Sequence, residues 1–221
     1  MAANLIAILS LIVQGGMLWA VIKYTRVTSE LFSLQTHQGF ENKFFQLLRF
    51  HHDIVDAIQV RLPPGGVASH HLPQPPQGRP AFSVLYQRLT EKYDAAQKQH
   101  PGAAAGLLAV EAYDRFFEEH QDPMGHYFRN LYQIIKFIDR SDEGTKDKDF
   151  YAHLVRAQMS SHELLLLFYD GTSQYGKDKF YPLIEKYAFL ENMPQGDLIS
   201  RRLKLLDDDK NLYHPRAFGK S

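Results

Sequence analysis

Apolar side chains return every three or four residues along most of this chain, and the strict alternation that marks a half-buried strand is found nowhere. In 40–60 (FENKFFQLLRFHHDIVDAIQV), Phe40, Phe44, Leu47, Leu48, Ile54, Val55 and Ile58 gather on one side of a helix, with Gly39 expected to break the chain just before it. Phe82, Leu85, Leu89 and Tyr93 predict a helix over 81–100, closed by His100-Pro101-Gly102, and Leu107, Leu108, Tyr113, Phe116 and Phe117 predict the next over 103–120. Asp122 and Pro123 look like an N-cap followed by proline at the first helical position. They lead into 124–139, where Tyr127, Phe128, Leu131, Ile134, Ile135 and Ile138 form an apolar stripe and His126, Arg129, Asn130 and Gln133 a polar one. After a solvent-seeking connector at 141–149, Ser160 and Glu163 have capping-box spacing ahead of LeuLeuLeuLeuPheTyr, and Gly171 is the expected stop. Phe180, Leu183, Ile184, Tyr187 and Leu190 predict a helix over 177–192, and a short one is expected over 196–206. The fold class is therefore all-α.

Two stretches do not fit a packed helix. Residues 63–80 hold six of the eleven prolines and three glycines, which sustain neither a helix nor a central strand, so they read as a surface excursion between helices. Residues 207–221 read as a charged, loosely held tail.

The start of the chain changes the picture. Residues 1–22 contain no charged side chain and as a helix extend roughly 30 Å, about one hydrocarbon core. A cleaved signal peptide would need a positive leader and a small-x-small cleavage site, and neither is there. Lys23 and Arg26 follow at once, with no basic residue before the run, so the positive-inside bias puts the remainder in the cytoplasm. The expected organisation is an N-terminal transmembrane helix at 1–24 and a stalk at 25–38. A single cytoplasmic helical domain over 40–206 follows. Localisation is then at a membrane, single-pass, with the lipid bilayer as partner of 1–24. Gly16 and Ala20 have the small-xxx-small spacing that lets two such helices approach, which allows a homo-oligomer; a glycine pair tolerated in lipid is the other reading.

Charge and composition mostly exclude. Lys and Arg (25) balance Asp and Glu (25), so no global field draws the chain to nucleic acid. The absence of cysteine removes disulfides, thiolate nucleophiles and cysteine-based zinc sites. His51 and His52 are adjacent and point about 100° apart on a helix, so they do not chelate one ion. No cofactor and no metal is expected. Gly-rich phosphate loops, HExxH and GxSxG are all missing.

Two constellations carry what chemistry there is. The stripe His126, Arg129, Asn130 and Gln133 either lines a pocket or faces solvent. Arg156 and His162 have a spacing that resembles the signature of the HEPN helical ribonucleases. There the histidine moves a proton and the arginine steadies the phosphoryl group, so these two are the candidate catalytic residues if the chain is an enzyme. They straddle the helix boundary expected at Ser160.

GHYFRNLYQIIKFID (125–139), RAQMSSHELLLLFYDG (156–171) and GKDKFYPLIEKYAFLENM (176–193) resemble the phage abortive infection proteins of bacteria, as does FENKFFQLLRFHHDIV (40–55). The resemblance implies a membrane-anchored helical protein that blocks phage propagation by arresting or killing the infected cell. It implies an unidentified phage or host protein as partner, and it supplies no catalytic mechanism. His126, Arg129, Asn130, Gln133, Gln158 and Glu163 are polar positions within these blocks and form the candidate functional face. A membrane-tethered HEPN-like ribonuclease, with RNA as its substrate, and a helical scaffolding protein are the alternatives.

Overall fold

The computed structural model describes residues 2–60, 75–141, 147–193 and 210–219, with side chains from Val13 onward. Among these it is all-helical. α1 (Ala2–Ala57), α2 (Arg79–Gln99), α3 (Ala105–Glu119) and α4 (Gln121–Asp139) are followed by α5 (Lys148–Ala157), α6 (Ser161–Thr172) and α7 (Tyr181–Lys186). Short 3-10 turns follow at Lys210–Leu212 and Pro215–Phe218.

The core sits where α4 and α6 are enclosed by the other helices. α4 buries all of Tyr127, Phe128, Leu131, Ile134, Ile135 and Ile138, the stripe that its spacing predicts. α6 is buried from Glu163 to Gly171, as a helix apolar on every side must be. Its start is the predicted capping box: Ser160 Oγ accepts from the Glu163 amide (3.3 Å), and Glu163 accepts from the Ser160 amide (2.7 Å).

α1 departs from expectation at Gly39. The helix continues through it, and Phe40 and Phe44, buried directly after it, hold the backbone by packing that outweighs the local propensity. One glycine inside a helix costs only about 1 kcal/mol. Packing begins at the next residue. Phe40, Phe44, Leu48 and Val55 are buried against the body, whereas the large apolar side chains from Val13 to Leu34 stand in solvent. Among the described residues no helix is long and apolar enough to cross a membrane. The first twelve residues of the span expected over 1–24 have side chains outside those described.

The proline-rich excursion is pinched at its base. Val60 N–H donates to Pro76 O (3.1 Å) and Gly78 N–H to Ile58 O (2.8 Å), around a single antiparallel bridge between Gln59 and Gln77. Residues 61–74 lie outside the described residues, as do 142–146 of the connector and the helix expected over 196–206.

Three other boundaries differ. α4 starts at Gln121 with His120 as its cap, so Asp122 and Pro123 lie in its first turn; the His120 imidazole sits 2.8 Å from Phe116 O and ties α3 directly to α4. Gly171 is not a stop, since α6 runs on to Thr172. A Cβ at Gly171 would strike the Tyr213 hydroxyl and lie 2.6 Å from Ile184 Cδ1, so glycine is needed here for close approach. The helix predicted over 177–192 is cut to Tyr181–Lys186, because Ala188 takes a left-handed φ of 49°. Arg156 holds that bend, donating to Ala188 O (2.6 Å) and pairing with Glu191 (2.6 Å).

The tail is not loose where it is described. Tyr213 and Ala217 are buried, Leu190 N–H donates to Ala217 O (2.9 Å), and Glu185 accepts from the His214 amide and pairs with Arg216 (2.5 Å). Gly171→Ala is expected to destabilise the protein by about 1–3 kcal/mol through overpacking, measured as a lower urea midpoint with the m-value unchanged.

Candidate functional site

The polar stripe of α4 does not act as one face, because three neighbours divide it. Asn130 turns toward α1, where its Oδ1 lies 3.1 Å from Nδ1 of the buried His51. The His51 ring also packs 5.0 Å from the Tyr127 ring, and burial holds its pKa below the usual imidazole range. His126 is exposed and lines a shallow recess with Ile54, Gln59 and Asp122. Arg129 and Gln133 face a cleft of about 350 Å³ between α4, the end of α6 and the segment 175–180.

That cleft is the best-built candidate site. Phe117, Phe128, Tyr132, Tyr175 and Phe180 supply its apolar walls, Arg129 and Lys179 are exposed cations on its lining, and Asp170 forms part of its wall. The absence of a side chain at Gly125 lets the Arg129 guanidinium fold back along the helix, with Nη1 3.0 Å from where a Cβ would stand. Gly176 is required opposite, since a Cβ there would run into the Asp170 carbonyl group.

Asp170 is the unusual group. It lies at the end of a helix buried on all sides, and the Tyr113 hydroxyl donates to its Oδ1 (3.0 Å). Burial pushes its pKa up to about 7, and the Tyr113 hydrogen bond offsets only part of that rise. A carboxyl that titrates near neutrality in a cleft can take up or release a proton at working pH. With two cations nearby, the cleft suits a small polar or anionic guest.

Sequence reasoning missed Asp170, Tyr113 and Lys179. The available signal was a lone carboxylate closing an otherwise apolar helix, which must be buried with a partner if the whole helix is buried.

The remaining candidates hold the fold together. Glu163 is buried and accepts from both the Ser160 amide and the Tyr127 hydroxyl (3.1 Å). Gln158 caps α5 and its carbonyl accepts from Arg79 (2.6 Å). Arg156 is buried against Ala188 and Glu191, while half-buried His162 sits on another helix with its ring 5.7 Å from Tyr86. Burial lowers the His162 pKa. Arg156 thus bonds the segment 188–191, whereas the His162 ring meets α2.

Residues 119–198 match the family model described as "Putative phage abortive infection protein". The match covers α4 to α7 and so includes the cleft-lining residues of α4 and α6; the block at 40–55 lies outside it. No curated protein and no solved structure matches the chain.

The folded Asp170 carboxyl titrates near 7 and an ordinary one near 3.8, so protonation favours the fold. Its contribution is fully present below about pH 4 and is lost as pH rises to about 7, by an amount of up to roughly 4 kcal/mol. Asp170→Asn keeps an acceptor for Tyr113 and removes the charge. It is expected to flatten stability between pH 4 and 7 and to exceed the wild type above pH 7, read from urea midpoints across that range.

Proposed function

We propose that this chain is an antiphage protein of the abortive infection type, held at the bacterial inner membrane by α1 with its helical body in the cytoplasm. It acts by binding a phage or host component and then arresting or killing the infected cell. The observation that carries the defence role is the family match over α4 to α7, the part of the body that encloses the core and the Asp170 cleft. The guest of that cleft is, on this reading, part of the trigger or of the target.

The membrane role rests on α1. Its first half leaves the body as a continuous helix and presents Val13, Met17, Leu18, Trp19, Val21 and Ile22 to the surroundings. Residues 1–22 carry no charge, and Lys23, 5.0 Å from the Trp19 ring centroid, would stand with it at the interface where aromatic and basic side chains anchor spans. The described apolar side chains at the start of α1 have no protein against them, and this supports lipid as their surroundings.

Val13→Lys with Met17→Lys tests this without touching the body, since both side chains are exposed at 54% and 65%. Each lysine near the middle of a span costs about 3 kcal/mol on insertion scales. The double variant is expected in the soluble fraction, and phage plaque counts on its host should rise to those of cells lacking the gene. Full protection by a soluble variant would refute the anchored mode of action.

A further inference from the structure

A second depression, larger than the Asp170 cleft, lies where the C-terminal end of α4 meets the middle of α1. It encloses about 780 Å³, within the size range of small-molecule sites. Lys43 from α1, Lys136 from α4 and Arg140 at the C-cap of α4 line it, and no carboxylate does so among the described residues. Asp139 and Glu41, the described acids adjacent in sequence to lining residues, both have partners, and one partner of Glu41 is His37, itself on the lining. Asp139 binds Lys186 (2.5 Å) and the Tyr187 hydroxyl (2.9 Å), and Glu41 accepts from Tyr151 (3.1 Å) and lies 3.5 Å from His37. Asp142 and Glu143, next in the chain, lie outside the described residues.

The end of α4 would ordinarily repel an anion through its unpaired carbonyls. Here some of them have partners. Lys136 O accepts from the Arg140 amide, Ile138 O from the Ser141 amide and hydroxyl, and Asp139 O from Lys148 Nζ. Lys43, Lys136 and Arg140 are the lysine and arginine side chains on the described lining, with Lys136 Nζ also 5.1 Å from the Tyr132 ring centroid. One side carries aromatic surface as well: Phe40 and Phe137 stack in parallel at 4.9 Å, and Phe32 is 71% exposed one turn or two further along α1.

Three cations with no acid among the described lining residues, beside an uncovered phenyl ring, have the chemistry of a phosphorylated ring compound. We propose that this groove binds a soluble nucleotide, its phosphates on Lys43, Lys136 and Arg140 and its base against Phe32. The same phosphate chemistry belongs to an anionic lipid headgroup. Helix geometry favours the soluble ligand: if α1 is anchored as proposed, the groove begins roughly 15 Å and ends roughly 30 Å beyond Ile22, past the headgroup layer.

Titration calorimetry on the full-length protein in detergent tests this with adenosine triphosphate and with inorganic tripolyphosphate. Vesicles of phosphatidylglycerol form the lipid arm. The nucleotide should bind one to one and more weakly as salt rises. Lys136→Glu with Arg140→Glu should lower its affinity at least about tenfold, the loss expected for a charge-assisted contact, with helicity by circular dichroism unchanged. Phe32→Ala should weaken the nucleotide several-fold and leave tripolyphosphate as it was. Wild-type affinity in the folded double variant, no heat from either soluble probe, or binding to vesicles alone through Lys136 and Arg140 would overturn the assignment. None of these readouts depends on phage protection, so failure here is separable from failure of the defence role.

Discussion

α6 can be buried from Glu163 to Gly171 only if the polar atoms along it find partners inside the protein, and three tyrosine hydroxyls provide them. Tyr127 of α4 donates to Glu163 at the first turn, Tyr113 of α3 to Asp170 in the last, and Tyr213 of the C-terminal segment to Phe168 O (2.9 Å). Each hydroxyl comes from a different part of the chain, so the same bonds that neutralise α6 also fix its neighbours around it. An unpaired buried carboxylate or carbonyl would cost about 1–3 kcal/mol or more, which makes these bonds a requirement of the packing. The glycines follow from the same constraint: Gly171 makes room for Tyr213, and Gly176 lets the chain return over Asp170.

Most of the core was legible in the sequence because helical spacing reports burial directly. The stripe of α4, the capping box at Ser160 and the packed face beginning at Phe40 are all local patterns that the tertiary structure leaves alone. What misled were glycine and proline read as punctuation. Gly39 is passed through and Gly171 is a contact residue, and nothing within a few positions of either distinguishes a stop from a close approach. The shortened helix after Phe180 and the packed C-terminal turn share one cause. Both depend on residues distant in sequence, Arg156 on Ala188 and Arg216 on Glu185, and no local pattern encodes such pairs.

The candidate site was legible only in part. His126, Arg129, Asn130 and Gln133 do share a side of α4, but that side is divided among α1, the segment 175–180 and an open recess. Arg129 and Gln133 acquire their meaning from Asp170, which lies about forty residues away and was hidden in an apolar run. Conversely, Arg156 and His162 are near in sequence and stand on either side of the α5–α6 turn, so their neighbourhoods diverge.

α1 is one helix from Ala2 to Ala57, with its second half packed on α4 and the described side chains of its first half facing outward. An uninterrupted α-helix bends gently and shows no sharp kink without a proline, a bulge or a similar break, and α1 is continuous from Ala2 to Ala57. Swivelling the projecting half would therefore swivel Phe40, Phe44 and Leu48 against Tyr151 and Phe137, and through them the end of α4. The projecting arm and the packed half of α1 are thus one continuous element, so a rotation of the arm bears on the rings that seat α1 on the body.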